Sequence, residues 1–410
     1  MTTLDTRFVR SQFPAFSQPA LEGQAFFENA GGSYPCAQVV ARLTRFYTER
    51  KVQPYAPYAV SQLAGSEMDE ARARLAAMMG VEGEEVSFGP STSANTYVLA
   101  QAVRGWLAGT DGAVVVTDQD HEANSGVWRR LADAGIEVRE WKVDPATGHL
   151  DLARLQELLA DGKVRLVCFP HCSNVVAEIN PVAEISSIAR AAGAATCVDG
   201  VSYAPHGFPD IPALGCDVYL FSAYKTYGPH QGIMVIRRDF GMALPAQGHW
   251  FNAGTLYKRH TPAGPDHAQI AACAGMVDYV DAVHAHHFAA DADPQARNRA
   301  VHDLMRAAEV ERARPLMEYL AGRNDLRLIG PRDPALRAPT VAVDLGRPAL
   351  AVAEALAAHG INCGGGHFYA VRPLQAMGVD TEQGVLRMSF VHYTTGAEVE
   401  QLIRALDAVL

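Results

Sequence analysis

Lys225 stands in "FSAYKTYGPHQGIMVIRR", residues 221 to 238, at a turn between two apolar runs. It is one of five lysines (51, 142, 163, 225 and 258) among 35 basic residues. The other four lie in polar stretches such as "TERKVQ" and "DGKVR", where a solvated charge is explanation enough. An amine at the carboxyl end of a buried strand is different. Lost solvation lowers its pKa and makes it a better nucleophile toward carbonyl groups. Taken alone, a strand-end lysine is more often an ordinary surface residue than a catalyst, so its companions decide.

Those companions also follow strand-like runs. "AVVVT" leads into "DQDHEANS" with His121, and "RLVCF" into "PHCSN" with His171, Cys172 and Asn174. "ATCVDGVS" supplies Asp199 and Ser202, while "DVYLFSAYK" supplies Ser222 and Lys225. Upstream, "FGPSTSANTYVLAQAV" places Ser91, Thr92 and Ser93 where a helix begins, which reads either as a plain N-cap or as an anion site with hydroxyls added. An amine, a buried carboxylate, an imidazole, an amide and a hydroxyl-rich anion cradle are together what pyridoxal phosphate requires. The lysine forms a Schiff base and the carboxylate keeps the ring nitrogen protonated. Its phosphate, carrying roughly −1.5 to −2 charges, needs several donors worth roughly 1.5 to 3 kcal/mol each. The competing phosphate motifs, GxxxxGK[ST] and a G-x-G-x-x-G after the first strand, are absent.

The elements that must hold these residues are visible as an alternation. From about residue 85 to 238, the strand runs at 113–117, 165–169, 195–199, 217–221 and 232–236 are separated by amphipathic helical stretches ending at or near glycine. That rhythm predicts a mostly parallel sheet covered on both faces, with ligands bound beyond the carboxyl ends of its strands. After 238 come a loop rich in Gly, His and Pro, a helix over about 269–288 and a second, broken by Pro315, over about 298–322. A smaller α/β alternation follows.

Length and composition narrow the function. With 410 residues, 49% hydrophobic, two domains are expected. A formal net charge of −10 with no basic run argues against nucleic acid as a partner. The sequence shows no signal-peptide core and no apolar stretch of membrane-spanning length, so a cytoplasmic protein with no membrane partner is expected. Seven scattered cysteines without CxxC pairs fit free thiols in a reducing compartment. The "HAHH" run at 284–287 has the wrong spacing for a metal set, and no metal is expected.

The chain resembles the class V aminotransferase and cysteine desulfurase family of fold type I pyridoxal-phosphate enzymes over most of its length. The resemblance is carried by "FFENAGGSYP", "SFGPSTSAN", "DHEAN", "PHCSNVVAEINPV", the block from "CVDGVSYAPHGF" to "YKTYGPHQGIMVIRR", and "VLRMSFVHYTTGAEVEQLIRAL". It implies an N-terminal segment (1–24) packing near the small domain, a large cofactor-binding domain (25–285) with a mostly parallel central sheet, and a smaller C-terminal α/β domain (286–410). It implies that Lys225 carries the Schiff base, Asp199 pairs with the pyridine nitrogen and His121 stacks on the ring. Asn174 lies near the ring hydroxyl, and Thr92, Ser93 and Ser222 contact the phosphate. Ser202 replaces the usual glutamine of the cofactor pocket. Arg387 grips a substrate carboxylate, and Tyr369, Ala30 and Gly31 also line the substrate side. A homodimer is implied as well.

Three departures shape the expected activity. Where desulfurases read arginine, any residue, G-H-H-C-A, this chain reads "CGGGHFYAVRP", with Gly364 in place of the arginine and Tyr369 in place of the cysteine that accepts sulfur. Cys363 or Cys172 would have to replace that thiol. Ser202 stands for a glutamine, and Tyr224 for the histidine before the lysine. The expectation is a desulfurase-like lyase cleaving a C–S bond, or a related β-elimination, on an amino-acid substrate. Transamination or epimerisation (racemisation) is the alternative, and a non-catalytic pyridoxal-phosphate scaffold the third.

Overall fold

A computed structural model describes residues 2–262 and 264–410. After the short strand β1 (Ala25–Phe26), seven strands build one sheet: β2 (Val86–Gly89), β3 (Ala113–Thr117), β4 (Glu137–Trp141), β5 (Val164–Pro170), β6 (Ala195–Asp199), β7 (Val218–Ser222) and β8 (Gly232–Ile236). Their order is β2-β8-β7-β6-β5-β3-β4. From β7 to β4 all neighbours run parallel, and β8 runs antiparallel to both of its neighbours. Val114, Val115, Val116, Leu166, Val167 and Phe169 are completely buried, as strands covered on both faces by helices require.

The five strands legible as apolar runs are the inner five. β2 and β4 are the two edges. β4 reads Glu-Val-Arg-Glu-Trp, and Arg139 on it pairs with Glu137 and Asp161, which keeps this open edge charged and solvated. Chain order reverses between β3 and β5, so the switch point of the sheet lies between the loops that carry His121 and Asn174.

A second, antiparallel sheet has the order β12-β13-β10-β9 and is made of β9 (Arg327–Ile329), β10 (Thr340–Asp344), β12 (Gly364–Gly366) and β13 (Val385–Ser389). Beside it β1 pairs in parallel with β11 (Ile361–Asn362). Ser389 donates its backbone N–H to Phe27 O at 2.7 Å, so the segment after β1 lies against β13. The N-terminal segment is pinned nearby: Arg10 bonds Glu398 and Tyr393 O, and Phe13 packs edge-on to Tyr393.

The helix expected to break at Pro315 runs unbroken from Pro294 to Ala321. Pro315 is exposed, and Ala313, Leu316 and Met317 around it are buried, so core packing holds the helix through one missing N–H. The "HAHH" histidines also have a structural use. His286 stacks on Phe8 with centroids 3.8 Å apart, and His287 Nε2 accepts from Asp5 N at 2.8 Å. No helix among the described residues is long and apolar enough to cross a membrane.

Candidate active site

β7 ends at Ser222 and a single 3-10 turn, Ala223–Lys225, carries the lysine beyond the sheet. Tyr227 follows with φ of 57°, and its N–H donates to Ser33 Oγ at 2.7 Å. The "NAGGSYP" segment is thereby stapled to the lysine turn. Burial and the positive charge of Arg387 bring the Lys225 amine down to about 8, against the pull of Asp199 and Glu28. Asp199, at the end of β6, is buried, and Oδ1 accepts from Val201 N at 2.9 Å. Burial raises its carboxyl above the ordinary range while the Val201 bond and Lys225 charge oppose.

The loop after β3 delivers His121 as the N-cap of helix Glu122–Arg129, with Nδ1 accepting from Ala123 N at 3.0 Å. That bond assigns the remaining proton to Nε2, and burial plus the charges of Lys225 and Arg387 lower the imidazole to about 4. Next to it Asp120, not singled out by sequence, accepts from Thr117 Oγ1 and Asn124, and burial pushes it up to about 8. After β5, His171 donates its backbone N–H to Asp199 O at 2.8 Å, and its ring stacks on Tyr203 at 3.7 Å. Asn174 gives its amide N–H to Phe368 O at 2.9 Å, while its buried Oδ1 has no protein partner.

At the start of helix Thr92–Leu107 both sequence readings have a physical basis. Ser91 Oγ caps Ala94 N at 3.1 Å, and Thr92 Oγ1 meets Ser222 Oγ at 2.7 Å, placing two hydroxyls beside open backbone N–H groups. Gly232 on β8 permits this approach, because a Cβ there would lie 2.3 Å from Ser91 C and 2.6 Å from Thr92 N.

Arg387, on β13, is almost fully buried. Its Nη2 bonds Glu28 Oε1 at 2.6 Å, and its guanidinium lies 3.8 Å from the Phe368 ring centroid. Phe368 and Tyr369 both have positive φ, 50° and 56°, which turns the chain sharply there. Tyr369 is 68% exposed, at the mouth of the site, and its O accepts from Glu122 N at 2.8 Å. Ala30 donates its N–H to Ser389 Oγ at 2.8 Å.

Two adjoining cavities open here, an outer one of about 640 Å³ and an inner one of about 110 Å³. Ala30, Gly31, Tyr369 and Arg387 line the outer cavity, and Thr92, Asp199, Ser202 and Ser222 the inner. Ser93, His121, Asn174 and Lys225 line both. The residues given cofactor and substrate roles from sequence are thus brought to one place, whereas His171 lies behind Asp199 and Cys363 packs against the core of the small sheet, both outside the cavity walls. Glu28 and Phe368 are additions to the wall, and Asp120 is a buried addition behind it. Their only sequence signal was proximity to a chosen motif.

The inner cavity fits pyridoxal phosphate: an unpartnered buried amide oxygen, a buried carboxylate, a hydroxyl-lined helix start and a lowered amine converge on it. Residues 25–402 match the family model described as aminotransferase class-V. The chain belongs to the class V aminotransferase family. It is similar to the aminotransferase-like protein FGM3 of Gibberella zeae, 32% identical over 98% of each chain. It is also similar to a cysteine desulfurase of Serratia proteamaculans, 29% identical over 98% of this chain and 97% of that one. Among solved structures, a cysteine desulfurase from Thermococcus onnurineus NA1 superposes with a TM-score of 0.84 at 22% identity, covering 100% of this chain and 99% of the other, which gives the fold. Members of this family are pyridoxal-phosphate enzymes of fold type I, and so is this chain.

Proposed function

We propose that this enzyme cleaves a C–S or similar β-substituent bond of an amino-acid substrate, with Lys225 as the group that holds the cofactor and moves the α-proton. The observation that carries this reading is the Lys225 amine, lowered to about 8 and placed in both cavities with Asn174 and His121. Bound pyridoxal phosphate supplies an electron sink next to the substrate α-carbon. At neutral pH the Lys225 Nζ has an accessible uncharged fraction, so it can attack a carbonyl and later accept a proton. Asp199 would keep the pyridine nitrogen of the bound cofactor protonated. Thr92, Ser93 and Ser222 with the helix start would hold the phosphate, and the unpartnered Asn174 Oδ1 would be free to accept from the ring hydroxyl. His121 contributes a neutral imidazole, so it adds no further positive charge to those of Lys225 and Arg387. Ser202 lines the same wall. Arg387, flanked by Ala30 and Gly31, orients the substrate's carboxyl end, and Tyr369 covers the entrance.

A persulfide relay through the protein is disfavoured. Burial pushes the thiols of Cys172 and Cys363 both up to about 12. Cys172 Sγ already donates to Ala177 O at 3.2 Å, and Cys363 packs against the core of the small sheet. Sulfur, if released, leaves directly. Transamination is the second reading, favoured by the similarity to an aminotransferase-like protein. We propose further a homodimer in the cytoplasm, a location that the seven free cysteines support.

A panel of amino acids and their derivatives separates the readings. Sulfide or pyruvate identifies elimination, a pyridoxamine form transamination, and solvent deuterium at an inverted α-carbon epimerisation. Hydride trapping followed by peptide mapping should place the cofactor on Lys225, and Lys225→Ala should lose the visible absorbance. An adduct on another side chain would end this reading. Silence with every substrate despite a trapped cofactor would favour a scaffold.

A further inference from the structure

The outer cavity contains a carboxylate of its own. Glu28 Oε1 is 2.6 Å from Arg387 Nη2, and the guanidinium's Nη1 reaches only Asn174 O, at 3.4 Å. An arginine that is to grip an α-carboxylate offers two parallel N–H groups and an unspent positive charge. Here the charge is already matched. A free carboxylate arriving at the buried Arg387 would set a second anion beside Glu28, and like charges so placed disfavour binding.

The surroundings are shaped around this pair. A Cβ at Gly31 would lie 2.8 Å from Glu28 Oε1, and one at Gly364 would lie 3.1 Å from Oε2 and 2.9 Å from the Phe368 ring. The absent side chain at 364 therefore leaves the space in which the Glu28 carboxylate sits. Glu28 Oε2 and Arg387 Nε are buried without a partner, while the Glu28 side chain as a whole stays 30% exposed along the cavity. A secondary or primary amide can meet the exposed side of the pair with its C=O toward the guanidinium and its N–H toward the carboxylate, and it carries no charge. Beyond it the cavity continues to Tyr97, Arg130 and the exposed Tyr369, so an amide nitrogen can bear a further substituent.

We propose that the Glu28–Arg387 pair makes this site select an amino-acid derivative whose carboxyl group is an amide, over the free amino acid. This deepens the function proposed above and rests on its reading of the cavity as the substrate site. Glu28 is then a specificity residue. It acts on the carboxyl end and takes no part in proton transfer at the α-carbon.

The test uses the cofactor-loaded full chain and matched ligand sets: alanine and serine as free acid, carboxamide, methyl ester and N-terminal residue of a dipeptide. Dissociation constants are read from the change in cofactor absorbance and expressed per unprotonated amine, because the four forms differ in amine pKa. The carboxamide should bind at least about tenfold tighter than the free acid, a difference readily resolved. The ester, which lacks the N–H, should fall behind the amide. The dipeptide arm tells a peptide end from a small amide as the source. Glu28→Gln, and Glu28→Asp, which withdraws the carboxylate by one methylene, should both shift the acid-to-amide ratio by about tenfold toward the acid. Equal or tighter binding of the free acid, with a ratio that neither variant moves, overturns the proposal. If a variant fails to fold, the wild-type ratio decides alone. No absorbance change with any amine, against a cofactor trapped on Lys225, would instead remove the substrate-site reading and this proposal with it.

Discussion

The amine of Lys225 offers the sharpest quantitative test. Its ordinary value is 10.5, and the site brings it to about 8. At pH 8, where this lysine would be about half uncharged, a lysine at 10.5 would be uncharged in roughly one molecule in 300. In cofactor-free protein, a small acylating reagent applied at limiting dose should therefore label Lys225 ahead of the other four lysines, as followed by peptide mass spectrometry across a pH series. Its labelling midpoint should lie near 8. Arg387→Met removes a cation that lowers this amine and should raise the midpoint. Asp199→Asn removes an anion that raises it and should lower the midpoint further. The same shift bears on stability. Between 8 and 10.5 the unfolded chain binds the proton that the folded one has lost, so stability should rise with pH through that window, by up to about 3 kcal/mol. Labelling of Lys225 with a midpoint near 10, or a midpoint that falls in Arg387→Met, would refute the reasoning.

Three other perturbations follow from packing and charge. Gly232→Ala drives a methyl into the backbone at Ser91 and Thr92, and the cofactor dissociation constant should rise at least about tenfold, measured by absorbance titration. Glu309, with no exposed surface, pairs with His206 at 3.0 Å and Arg306 at 3.1 Å, and these partners hold its carboxyl at about 2. Glu309→Gln should cost about 3 kcal/mol in denaturant unfolding at pH 7. In the wild type that contribution is full above about 4.5 and drains away as pH falls toward 2. Tyr369→Phe should change KM while leaving cofactor absorbance intact, since Tyr369 lines only the outer cavity, and loss of the cofactor would show that the residue is misplaced.

How much of this was legible from the amino-acid order depends on distance along the chain. Lys225, Asp199, His121 and Asn174 each follow an apolar run directly, and a parallel sheet must bring the carboxyl ends of its strands to one edge, so local pattern was sufficient. The edge strands were hidden for the opposite reason: β4 alternates charges with apolar residues and buries little, so nothing in its composition distinguishes it from a loop. Glu28 was invisible in a stronger sense. Its meaning arises only when the chain after β1 runs along β13 and brings it to Arg387, 359 positions away. Pro315 misled because a helix breaker acts on local energetics, whereas burial on both sides of the residue settled the outcome.

The helix Pro294–Ala321 is 28 residues and so about 42 Å long. Its first half gives Val301, Leu304 and Met305 to the core beneath the seven-stranded sheet, and its second half gives Ala313, Leu316, Met317 and Leu320 to the core of the four-stranded one. Such a shared beam ties two melting events into one, because neither core can dissolve without stripping the support of the other. It also sets the span between the amine at the end of one sheet and the guanidinium on the other.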